Sequence, residues 1–194
     1  MTVRLRPDQR TAAAWRALWE IVDGRLLNDS FKCSQAAMVL MPYASEHPAS
    51  VLVVAVDAVT DTLAAWGDDL GKNPACLAET AFSMLHGQLQ PSERLLLLAA
   101  EQTLMAQDPT GEAGRPHPVC RPWPAQTPVV SLAAAGGGQV LQQAIEAASQ
   151  THGLAEQPVI GIINAAPGVL TNVLWGLSRS NPDRMRELLD ARTV

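Results

Sequence analysis

Ser50-Val51-Leu52-Val53-Val54-Ala55-Val56-Asp57-Ala58-Val59 is the stretch on which the fold turns. Its valine density suits a strand at 51–56, because β-branched side chains pack well on a pleated surface. Over the longer window 48–66 the pattern fits a helix better. Asp57 and Asp61 fall one turn apart, Val56, Val59 and Leu63 share another face, and Gly67 suits the residue just past a helix end. The leading expectation is therefore a mainly α, multi-helix bundle of about seven or eight helices. The alternative is an α+β or α/β fold with short strands near 51–56, 129–133 and 159–163.

The flanking sequence favours helices. In residues 8–23, Ala12, Trp15, Leu18, Trp19 and Val22 recur at helical spacing, with Gly24 as a plausible stop that Leu26 and Leu27 can extend. A short helix is expected over 30–41, ending before Pro42, whose ring disfavours a helical predecessor. Asn73 and Pro74 make a cap-and-proline start for a helix over 74–89. The next helix, from about Ser92 to Gln107, carries Leu95-Leu96-Leu97-Leu98 and is apolar around much of its circumference, which marks a central element. Asn181-Pro182 opens the last helix.

Residues 108–128 hold six prolines and two glycines and break the helical pattern. They divide a helical part (1–107) from a C-terminal part (129–194) within one expected domain of 194 residues. Beyond them the chain twice runs from a Pro-led apolar stretch through a loop into a helix. Val129–Ala133 leads to Gly136-Gly137-Gly138, and Val159–Ile163 leads through Asn164 to Gly168. If those stretches are strands, both loops lie at one sheet edge and their backbone N–H groups could hold a phosphate or carboxylate. If they are helices, the glycine loop is a joint.

Composition narrows the classes. Hydrophobic residues are 47% and charged residues only 17%, which suits a folded chain and not a disordered one. A net charge of −5 argues against general nucleic-acid binding, and no helix carries a convincing set of base-reading side chains. Three cysteines, Cys33, Cys76 and Cys120, make no disulfide framework. The opening MTVRLRPDQR lacks the apolar core of a signal peptide, and no uninterrupted apolar run reaches a membrane span, so the expected location is the cytoplasm, with no membrane partner.

No catalytic constellation emerges. His117 and Cys120 are half of a zinc spacing without the other half. Asp57 and Asp61 share a face, yet only Glu79 offers a second acidic helix, so no Mg²⁺ site and no other metal is expected. There is no GxSxG turn, no GxGxxG and no phosphate-binding lysine motif. No cofactor can be named. Trp15, Trp19, Trp66 and Trp175 are expected in the core, with Trp15 and Trp19 also placed to form a dimer contact. The leading expectation for function is a helical protein-interaction or oligomeric accessory protein, a homo-oligomer or the binder of a protein partner. The alternative is an enzyme or small-molecule binder with its site at Gly136–Gly138 and Asn164–Gly168.

Overall fold

The computed structural model describes residues 9–85, 89–106, 141, 145, 150 and 159–193. Seven helices are seen: α1 (Gln9–Leu26), α2 (Ser30–Glu46), α3 (Pro48–Leu70), α4 (Pro74–Leu85), α5 (Pro91–Ala106), α6 (Val159–Ser180) and α7 (Pro182–Thr193). Among the described residues there is no strand. Leu141, Ile145 and Gln150 are also helical. The mainly α bundle is what is seen; the strands that the alternative fold placed at 51–56 and 159–163 are helix, and 129–133 lies outside the described residues.

The valine-rich stretch is helical because it is the middle of the bundle. Val51 to Val56 are six consecutive buried residues, and Ala58, Val59, Leu63 and Ala65 continue the burial. A helix apolar on every side belongs at the centre. α3 packs against α6 most extensively and also touches α1, α2, α4 and α5. One buried cluster draws on all seven helices and on Leu141. α3 and α6 are each long and apolar enough to cross a membrane by length and composition alone. In the bundle, 67% of the apolar window of α3 is buried against its neighbours.

Two helix ends fall later than the glycines predicted, and for one reason. α1 runs past Gly24 and closes at Asn28, which takes the left-handed conformation (φ 56°). The Asn28 N–H donates to Arg25 O (3.2 Å) and the Asp29 N–H to Gly24 O (2.7 Å), the pair of bonds that defines a Schellman end. α3 runs past Gly67 and closes in the same way at Gly71 (φ 62°), with Lys72 N–H donating to Gly67 O (2.9 Å). Gly24 and Gly67 thus stand one turn before the end, beneath the returning chain. A Cβ on Gly67 would sit 2.7 Å from Lys72 O, and one on Gly24 would sit 2.8 Å from Cys33 Sγ.

Pro42, expected to bound a helix, lies inside one, and so does Pro167. α2 continues through Pro42 to Glu46, and α6 through Pro167. An interior proline forfeits a backbone bond. Burial of Ala36, Leu40 and Ala44 holds α2 together on both sides of Pro42. The caps expected at Asn73 and Asn181 are present: their Oδ1 atoms accept from Ala75 N (2.9 Å) and Arg184 N (3.1 Å). Gln90 N donates to Glu93 Oε2 (2.9 Å) at the start of α5.

Candidate interaction surface

Of the residues singled out as a ligand site, Gly136, Gly137 and Gly138 lie outside the described residues, as do His117, Cys120 and the segment 108–128. Asn164 and Gly168 belong to α6, so they form no loop at a sheet edge. Asn164 is exposed on the second turn. Gly168 is a packing notch: a Cβ there would sit 2.5 Å from Glu93 Oε1 and 3.3 Å from an Arg25 guanidinium nitrogen. It admits side chains from α5 and α1 to the flank of α6. Among the described residues no group of three His, Cys, Asp or Glu is placed to hold a metal.

The tryptophans divide. Trp19 is fully buried and Trp15 is half-buried against it, ring centroids 5.9 Å apart. Trp19 therefore serves the interior of this chain. Trp66 is half-buried against Gly176, where a Cβ would meet its ring at 2.6 Å. Trp175, expected in the core, is 55% exposed.

Two carboxylates of α3, Asp61 and Asp69, meet arginines of α7. Arg192 is buried, its guanidinium pairs with Asp61, and its Cζ lies 5.3 Å from the centre of the Trp19 ring. Another of its nitrogens donates to Leu188 O (3.1 Å). One cation near the chain end thereby joins α7 to α1 and α3. Arg184 adds a looser approach to Asp69 (3.9 Å). The Asp69 carboxyl is raised above the usual range because burial disfavours its charge, an effect Arg184 opposes.

The surface that sequence reasoning missed is the outer face of α2. Phe31 is 70% exposed, Met38 77% and Val39 48%, and Gln35 and Pro42 are exposed beside them. From Cys33 to Ser45 there is no Asp, Glu, Lys or Arg. Phe31, Gln35, Met38 and Pro42 follow one another at steps of four, three and four, which puts them on one seam. Ending the helix at Pro42 hid that seam, because its last member lies past the expected boundary.

The seam is held firmly from behind. Asp29 completes α1 and starts α2, its side chain accepting from Lys32 N (3.0 Å). Lys32 Nζ pairs with Asp23 of α1, which raises the lysine above its ordinary range. Cys33 Sγ reaches Ile21 O (3.5 Å) across the gap that Gly24 leaves open. Leu40 and Ala44 face the core.

No family model matches the chain, and no curated protein and no solved structure is significantly similar to it.

Proposed function

We propose that this protein works by binding a second protein chain, a further copy of itself or a different protein, through the outer face of α2, as a helical interaction or accessory module of the cytoplasm. The observation that carries the proposal is the seam Phe31–Gln35–Met38–Pro42 with Val39 beside it, exposed, uncharged and mounted on a hairpin braced at its turn. Single exposed apolar residues are ordinary on a protein surface, whereas several on one helix face without a charge between them suit a helix-in-groove or helix–helix contact. Methionine adds to this. Met38 on the seam and half-buried Met41 behind it are flexible side chains that fit irregular partners.

Native mass spectrometry of the full chain, wild type beside Met38→Asp, tests the proposal. The expected result is an assembly, with a co-purifying protein or with itself, that is present in the wild type and lost in the variant at unchanged melting temperature. An assembly that survives Met38→Asp puts the contact elsewhere and overturns it.

A further inference from the structure

We infer that the α2 face is built for an amphipathic helix of a different protein, with arginine or lysine flanking both ends of its apolar seam. This rests on α2 being the docking face and adds the class of partner. The seam from Phe31 to Pro42 spans roughly 17 Å of helix axis, about three turns, and its steps of four, three and four keep it on one face that a second helix can follow.

The ends of the seam carry the charge. At one end stand the exposed N-cap Asp29, Asp23 and Glu20, whose fields all act on Lys32. That one ammonium is engaged by Asp23, while Asp29 stands exposed at the mouth of the hairpin. Arg25, the other cation near the hairpin turn, lies against Gly168 and Glu93 instead. At the far end is exposed Glu46, the only Asp, Glu, Lys or Arg between Lys32 and Asp57. An uncharged seam with an acidic end on each side is complementary to an apolar seam with a basic end on each side.

The same pattern disfavours a second copy. Two α2 helices packed antiparallel bring Glu46 of each onto the acidic hairpin end of the other. Packed parallel, they set Glu46 against Glu46 and Asp29 against Asp29. Both arrangements juxtapose like charges around the contact, and the chain as a whole is acidic at −5.

The test uses the full-length protein and two labelled synthetic helical peptides of about 18 residues. They share one leucine–alanine seam and differ only in having arginine or glutamate at the flanks. Fluorescence anisotropy should show the arginine-flanked peptide binding at least tenfold more tightly near 0.05 M salt, with the gap closing near 0.5 M as the charges are screened. Glu46→Lys should narrow the gap severalfold. Met38→Asp should abolish binding of both peptides; it adds negative charge, so a merely electrostatic attraction would strengthen instead. Equal binding of the two peptides, still lost in Met38→Asp, overturns the charge assignment and leaves the docking face standing. Binding untouched by Met38→Asp, or no binding of either peptide, overturns both. Light scattering that shows self-association abolished by Met38→Asp names the second copy as occupant and overturns this inference alone.

Discussion

α2 and α7 both lean on α1, and they use charge in opposite ways. α7 has six charged residues among twelve, yet it buries Leu188, Leu189 and Arg192 and ties itself to Asp61 and Asp69 on α3. α2 has Lys32 and Glu46 near its two ends and nothing charged between, yet it leaves Phe31 and Met38 in the open. Charge therefore does not track exposure here. The ions of α7 secure the fold, whereas the apolar exterior of α2 contributes nothing to it. Surface that the fold does not require, and that water does not favour, is where a partner is to be sought.

The comparison breaks first at the buried cation. Removing Asp61 strands Arg192 in the core, whereas removing Arg192 leaves Asp61 able to reach water, since its side chain is 37% exposed. Asp61→Ala should cost about 3 kcal/mol in urea unfolding, and Arg192→Met about 1 kcal/mol. Equal losses, or the reverse order, would show that the ion pair is not what holds α7.

Next come the returning chain ends. Gly67→Ala should destabilise by about 2 kcal/mol despite alanine's better helix propensity, because the added Cβ meets the Lys72 carbonyl, a backbone atom. Gly71→Ala meets open space and suffers only the left-handed backbone, roughly 1 kcal/mol. Thermal melts of the two variants that came out in the opposite order would refute the packing explanation.

A smaller effect concerns pH. The Asp69 carboxyl is raised in the folded protein, so the fold binds that proton more tightly than the unfolded chain does. Its contribution to stability is present below its unfolded value and is lost as pH rises through the folded one. Urea midpoints of the wild type should accordingly fall relative to Asp69→Asn as pH climbs from about 4. A constant difference between the two would show that the attraction of Arg184 cancels the desolvation of Asp69.

The smallest expected effect sharpens the comparison most. Met38→Asp should change stability by less than about 0.5 kcal/mol, since the side chain stands in solvent. A large loss would mean that the α2 exterior is structural after all.

Most of the architecture was legible, because local rules govern it. Cap-and-proline starts at Asn73 and Asn181 and the helical spacing of Trp15, Leu18 and Val22 act within a few residues. What misled was always something returning from a distance. Gly24 and Gly67 looked like stops, but each is small because a later segment folds back over it. Pro42 looked like a boundary, but burial on both sides carries α2 through. Asp61 was legible only as sharing a face with Asp57, and its partner is 131 residues away, beyond any local signal. The candidate surface was the least legible. Its residues were in plain view, but only knowing which face of α2 turns inward shows which face is left over.

The gap at Gly24 has one more consequence, for chemical reactivity. Cys33 Sγ lies over that gap, pointing toward α1 and reaching the Ile21 carbonyl. A bulky alkylating reagent can approach the sulfur from the α1 side only when α1 and α2 part. A faster labelling of this half-buried thiol would therefore report a loosening of the hairpin that carries the exposed seam.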